Sequence, residues 1–279
     1  MTKPSLSDYG TYDESTVPRL WDGVIGAWCP SLGPTGSRLH DFSRYDNWGT
    51  LTNMDPPTDW VVDGGQYALD FDNTNDYVDL GSTLTIDQSS TISLRWFEKV
   101  TSSVGTYQSR FILRTNGTRG LIVFRSTNTT GYSVLSVNGK NTGDYSRFSG
   151  APSIASSVGV WREWCLVNTS TVGGSGDPWR LWVDGIEYAV STGSVATAFG
   201  NANCRIGLDG LGDDPANCLF DDITIWRRSL TPGEVQQLSL LGRGGMFQRR
   251  RVRRGYVSEA VNRSYLFVNR GQVIGGGTL

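Results

Sequence analysis

The chain has 279 residues, of which 38% are hydrophobic and 19% charged, with 35 Gly, 10 Trp and a formal net charge of −2. This aromatic-rich, modestly charged composition excludes a disordered polypeptide, and no run reaches the ~20 apolar residues that a membrane helix needs. The near-neutral total conceals a split: residues 243–279 carry eight Arg (Arg243, Arg249, Arg250, Arg251, Arg253, Arg254, Arg263, Arg270) against Glu259, a net of +7, which leaves −9 on residues 1–242.

Residues 1–20 are polar, contain Pro4 and Pro18, and read as an extended arm. They hold no apolar core of a secretory signal, so the expectation is a chain kept in a cytoplasm or released without a signal. From Val24 onward, short apolar runs recur with turn residues between them. They are Val24–Trp28, Tyr67–Phe71, Tyr77–Leu80, Thr91–Phe97, Arg110–Leu113, Leu121–Phe124, Tyr132–Val137, Trp161–Val167, Trp179–Val183, Asn203–Ile206 and Leu219–Trp226. Many alternate with period two, which buries one face of each strand and wets the other. Such a succession predicts an all-β fold, a two-sheet antiparallel sandwich of the jelly-roll type. Asp184-Gly185 predicts a type I′ hairpin, because both central residues of that turn need φ > 0.

One short C-terminal helix is predicted. Thr231 is its N-cap, Pro232 sits at N1, Glu234 closes a capping box, and Gly242 is the C′ residue. Val235, Leu238 and either Leu240 or Leu241 fall on one face, to pack on the sandwich. The jelly-roll domain is expected to span 21–242. Residues 243–279 are then an Arg-rich anchoring tail with a hairpin of Ser264–Val268 and Gln272–Ile274. A hairpin of that size orders only against the body, another subunit or a partner.

Several pieces of the chain occur in a suggestive order: Gly26-Ala-Trp-Cys-Pro, Leu39-His-Asp-Phe-Ser, Gly49-Thr-Leu-Thr-Asn and Ala68–Leu80, then Leu181-Trp-Val-Asp-Gly, Asp221-Asp-Ile-Thr-Ile-Trp and Ser229–Val235. Over residues 24–241 this resembles the laminin G-like, concanavalin A-like lectin/glucanase jelly rolls of bacterial and phage surface proteins. The resemblance implies carbohydrate or protein binding, a structural role, and in some members a calcium ion or glycoside hydrolysis. A fold does not determine function, so the chemistry has to come from residues.

Catalysis is not expected. Glycoside cleavage uses two carboxylates ~5–10 Å apart with divergent pKa values, and the six Glu (Glu14, Glu98, Glu163, Glu187, Glu234, Glu259) are isolated along the chain. Asp221 and Asp222 are adjacent on a predicted strand and should point to opposite faces, one bonded to nearby backbone and one solvated. The single His, His40, is read as a loop residue and supports neither a Ser-His-Asp triad nor a His-ligated metal. Cys29, Cys165, Cys204 and Cys218 form no C-x-x-C pair and are read as reduced core thiols.

Three binding chemistries remain. Calcium wants oxygen ligands; the candidates are Asp209, Asp213 and Asp214, then Asp70, Asp72 and Asp76, with turn-forming Asp as the competing reading. Trp28, Trp96, Trp164, Trp182 and Trp226 lie inside strands and read as core. Trp48, Trp60, Tyr107 and Tyr145 lie in loop-like surroundings and are the candidates for an exposed, sugar-stacking face. Arg249, Arg250, Arg251, Arg253 and Arg254 can dock on an acidic protein surface, including that of an identical subunit, through bidentate contacts. Without interleaved aromatics, nucleic acid is not favoured.

The expectation is therefore a non-catalytic structural or binding protein, a virion (phage) decoration or appendage assembled in the host cytoplasm. Its tail would contact capsid or other virion proteins, its sandwich host glycans, and it would form a homo-oligomer, with a trimer as one arrangement. The alternatives are a cellular carbohydrate-binding module and a glycoside hydrolase of the same fold.

Overall fold

Alternation writes the architecture. In Ser93–Val100, Leu94, Trp96, Glu98 and Val100 share one face and Arg95, Phe97 and Lys99 the other. A computed structural model describes residues 18–82, 84, 91–102, 107–114, 120–126, 133–136, 145–148, 151–168, 179–188, 190–192, 202–208, 214–247, 268–269 and 272–273. The strands, in chain order, are β1 (Val24–Trp28), β2 (Arg38–Leu39), β3 (Gly49–Thr52), β4 (Trp60–Asp63), β5 (Gln66–Asp72), β6 (Tyr77–Gly81), β7 (Ser93–Val100), β8 (Tyr107–Arg114) and β9 (Gly120–Ser126). They continue with β10 (Ser133–Ser136), β11 (Tyr145–Phe148), β12 (Trp161–Asn168), β13 (Trp179–Val183), β14 (Ile186–Tyr188), β15 (Val190–Thr192), β16 (Ala202–Ile206) and β17 (Asn217–Trp226). Short helices cover Pro18–Trp21 (α1), Pro56–Asp59 (α2) and Ile154–Ser157 (α3); the longer α4 is Pro232–Leu241. Among the described residues no helix is long and apolar enough to cross a membrane.

The strands form two antiparallel sheets. One runs β14-β13-β12-β7-β17-β5-β4, with β1 also paired to β17; the other runs β15-β11-β10-β9-β8-β16-β6-β3-β2. The main core lies between them and includes Trp28, Trp96, Trp164 and Phe220, each no more than 2% exposed. Trp96 stacks on Trp164 at 6.1 Å and meets Phe111 edge-on at 5.0 Å, geometries that aromatic quadrupoles favour.

A second core covers the outer face of the first sheet. Cys165, Val167, Trp182 and Trp226 pack there beneath Leu20, Val235, Leu238, Met246 and Phe247. This explains why β17 is buried at all ten positions: its two faces serve different cores. The predicted capping box closes α4, with Thr231 Oγ1 accepting from Glu234 N (3.2 Å) and Glu234 Oε2 accepting from Thr231 N (2.8 Å). Leu241 packs on the second core while Leu240 is 89% exposed, which settles the alternative left open by the sequence. Asp184 and Gly185 both adopt positive φ (52° and 77°), as the type I′ hairpin requires.

Two boundaries differ from expectation. Leu20, placed in an extended arm, belongs to α1 and is fully buried in the second core, and its carbonyl accepts from Trp226 Nε1 at 2.6 Å. The body does not stop at Gly242: Met246 and Phe247 are 1% exposed, and the chain divides into compact units at Gln248 and Arg249. In the second unit, Val268–Asn269 pairs antiparallel with Gln272–Val273. The rest of the predicted tail hairpin, and Arg249, Arg250, Arg251, Arg253 and Arg254, lie outside the described residues.

Candidate functional site

The outer face of the first sheet carries a buried charge network. A β-bulge between Asp221 and Thr224 shifts the register of β17 against β7, with Asp222 at φ 46°. The extra residue breaks the simple alternation. Asp221 and Asp222 therefore do not divide into a buried and a solvated side chain; both are fully buried. Asp221 Oδ1 accepts from Ser31 N (2.9 Å) and Asp222 N (2.8 Å), and its Oδ2 lies 3.3 Å from Arg243 Nε. Asp222 Oδ2 accepts from Gly244 N (2.9 Å) and pairs with Arg95 Nη1 at 2.8 Å. Arg95 also donates to Glu163 at 2.5 Å, and its Nη2 reaches the carbonyls of Leu238 and Gly242 at the C-terminal end of α4, where a cation is favoured.

Burial and the neighbouring Asp222 push the Asp221 carboxyl up to about 7. Its Oδ2 accepts no hydrogen bond, so it has room for the proton. Burial likewise raises Asp222 and, with the two aspartates nearby, Cys29. None of the four cysteines forms a disulfide, and all are buried. Inside the sandwich, Arg110 donates to Glu98 at 2.5 Å, an ion pair with both side chains fully buried.

Arg243 links this network to the surface. Its Nε donates to Gln66 Oε1 (2.8 Å), its Nη2 donates to the Asp63 carbonyl (2.7 Å), and its guanidinium lies 4.1 Å over the Trp161 ring. The β4–β5 turn that it ties down is Gly64-Gly65, both at positive φ (62° and 81°), a backbone that a side chain would strain. Below this hairpin opens a groove of about 360 Å³ lined by Val61, Val62, Asp63, Asp70, Lys99, Val100, Thr101, Gly159 and Leu219. Lys99, Leu219 and Asp70 sit in one cross-strand row of β7, β17 and β5.

Asp63 is saturated: Lys99 Nζ donates to Oδ1 at 2.7 Å and Trp161 Nε1 to Oδ2 at 2.5 Å. The Lys99 hydrogen bond is the chief reason that its carboxyl is held below the usual range. Asp70 moves the other way, raised by burial and then by Asp59 and Asp72, and no cation pairs with it among the described residues. The rim of the groove is apolar, with Val62 62% exposed. A mixed lining of this size, at the small end of the usual ~300–1,000 Å³, suits a small polar ligand.

The residues proposed from sequence fare differently. Trp48 is half-buried, with the Arg38 guanidinium 4.6 Å over its ring and the His40 ring edge-on at 4.4 Å. Trp60 is not an exposed platform: it begins β4 opposite Leu69, is 7% exposed, and donates its Nε1 to the Gly36 carbonyl at 3.0 Å. Strand pairing turns it inward. Tyr107 and Tyr145 open β8 and β11, and their side chains lie outside the described residues. Asp209 and Asp213 also lie outside them; Asp214 has φ 54° and its carbonyl accepts from Ser109 N at 2.8 Å. Asp72 and Asp76 serve backbone turns, accepting from Thr74 N (2.8 Å) and Asp72 N (3.1 Å). Among the described residues no group of three or more His, Cys, Asp or Glu could hold a metal ion. The sequence singles out Asp70 only as a calcium candidate and passes over Lys99, which carries no motif, because what shares a strand face is a tertiary matter.

A profile of the concanavalin A-like lectin/glucanases superfamily, Laminin_G_3, matches residues 72–236. No curated protein matches the chain in sequence. Among solved structures, a mutant Trypanosoma rangeli sialidase displaying trans-sialidase activity is similar over 87% of this chain and 37% of its own, at 12% identity and a TM-score of 0.59. The binding domain of Paraclostridial Mosquitocidal Protein 1 is similar over 79% of this chain and 52% of its own, at 15% identity and a TM-score of 0.55. Domain 4 of a GH43 extracellular arabinanase from Geobacillus stearothermophilus, in complex with arabinotriose, is similar over 77% of this chain and 98% of its own, at 15% identity and 0.56. The chain thus spans about a third of the length of the sialidase it matches, and at these identities the likeness is one of fold.

Proposed function

The chain belongs to the concanavalin A-like lectin/glucanase superfamily, and from that premise we propose that it is a carbohydrate-binding β-sandwich whose ligand enters the groove beneath the β4–β5 hairpin. The observation that carries this reading is the groove itself: an open, sugar-sized depression with Asp70, Lys99 and Thr101 as polar walls and Val61, Val62 and Leu219 as apolar ones. Sugars present both hydroxyls and C–H faces, and that lining answers both. The arabinotriose complex of the similarly folded arabinanase domain supports a glycan as ligand.

Binding without turnover is the form of the proposal. Glu98 and Glu163 are buried and paired with Arg110 and Arg95, and Asp221 and Asp222 are sealed beneath residues 243–247, so these carboxylates support the interior rather than a reaction. Titration of the full chain against a panel of neutral and acidic oligosaccharides should give saturable binding that Lys99→Ala weakens about tenfold or more. Absence of binding across the panel would reject the reading, and release of reducing sugar would overturn its non-catalytic part.

The charge split favours a second element: residues 249–279, with seven Arg against Glu259, anchor the domain to an acidic protein surface of a virus particle assembled in the host cytoplasm. Particle association should be lost on deleting 249–279, and unchanged association would exclude the anchor.

A further inference from the structure

We propose that the groove selects neutral sugars and discriminates against acidic ones, with Asp70 as the discriminating residue. This rests on the carbohydrate-binding reading above and adds the class of ligand. The argument starts from which charges are spoken for. Lys99 is the lining's cation, and it is committed to Asp63 at 2.7 Å. Both Asp63 oxygens are occupied, by Lys99 and by Trp161 Nε1. Arg243, held on the same β4–β5 hairpin, is directed at the Asp63 carbonyl, Gln66 and Asp221. That leaves the Asp70 carboxylate uncompensated, in the field of Asp59 and Asp72.

An ionised carboxylate only accepts hydrogen bonds, whereas an ammonium has three donors, of which Lys99 spends one on Asp63. Thr101 donates its hydroxyl to Asn217 Oδ1 and so offers lone pairs to a ligand. The groove therefore presents acceptors at Asp70 and Thr101 and donors at Lys99, with Leu219 and Val61 for the ring's C–H surface. A neutral polyol fits all of these, because each hydroxyl both donates and accepts. A sialyl or uronyl carboxylate placed there would face Asp70 with no unpaired cation among the described residues of the lining to offset it, and like charges at short range in a half-buried site are strongly unfavourable.

The test is calorimetric titration of the full chain with matched probes: lactose against 3′-sialyllactose, and arabinotriose and xylotriose against trigalacturonic acid. At least one neutral sugar should bind, about tenfold or more tighter than its acidic counterparts. Asp70→Asn should weaken the neutral sugar and narrow that gap, with Asp70→Ser as the second variant should the first fail to fold. Acidic sugars binding as tightly as neutral ones, or a gap unmoved in a folded Asp70 variant, would overturn the selectivity while leaving carbohydrate binding intact. If no sugar binds at all, the functional reading falls and this inference with it.

Discussion

Arg243 sits where the buried carboxylates, the β4–β5 hairpin and Trp161 meet. Replacing it by Ala removes the cation nearest Asp221 and the tie that holds the hairpin over the groove. Because Asp221 can take up a proton when its cation is removed, the loss falls short of the ~3–5 kcal/mol of a stranded charge. With the hydrogen bonds to Gln66 and the Asp63 carbonyl also gone, urea denaturation of Arg243→Ala near pH 7 should show a loss of about 1–3 kcal/mol, and no loss would show that Arg243 does not tie the hairpin down. The protonation of Asp221 has its own signature. Its folded pKa of about 7 lies above the ordinary 3.8, so the fold favours the protonated form. That contribution is full below pH 3.8 and is lost as pH rises through about 7. Asp76, raised to about 6 by burial, acts with the same sign. Asp63 and Glu234 are shifted downward, so their opposite contributions change only at more acidic pH. Melting temperature should therefore fall between pH 5 and pH 8, and Asp221→Asn should flatten the profile. None of this was legible from the residues alone. The Asp221-Asp222 pair was visible, but the bulge that buries both depends on β1 and β5 pairing with different parts of β17.

At the scale of elements, what was read well was what is local. The capping box of α4 needs only Thr231, Glu234 and the intervening backbone, and Thr231→Ala should cost about 1 kcal/mol in thermal or urea unfolding. The Asp184-Gly185 turn is likewise self-contained. A Cβ at Gly185 would meet Ser239 Oγ at 2.9 Å as well as straining a φ of 77°, so Gly185→Ala should destabilise more than Thr231→Ala. If it does not, the hairpin does not press on α4. Trp60 marks the limit of local reading. Its neighbours Pro56, Pro57 and Asp59 look like a loop and do form one short helical turn, yet the next residue starts an edge strand and faces the core.

At the scale of the whole molecule, two cores share one sheet. The inter-sheet core explains the apolar alternation, and the second core explains why β7 and β17 are apolar or paired on both faces. Removing 249–279 should leave the melting temperature of the body within a degree or two, since that segment forms a separate compact unit. Removing 243–279 instead deletes Met246 and Phe247 from the second core and Arg243 from beside Asp221. At about 1.5–3 kcal/mol for each buried apolar side chain, that truncation should lower the midpoint by more than about 5 °C. Equal midpoints for the two truncations would show that residues 243–247 are not part of the folded body.

By itself the sequence determined the all-β class, the hairpin and helix signals, the core tryptophans Trp28, Trp96, Trp164, Trp182 and Trp226, and the charge division between body and tail. These follow from periodicity, capping chemistry and composition, which act over a few residues or over none in particular. Only the tertiary structure decided that Lys99, Asp70 and Thr101 share a groove, that Glu98 answers Arg110 across the sandwich interior and that Glu163 answers Arg95, 68 residues away. The reason is physical: a side chain's partners across a sheet are set by strand order and register, and those are properties of the packed sandwich.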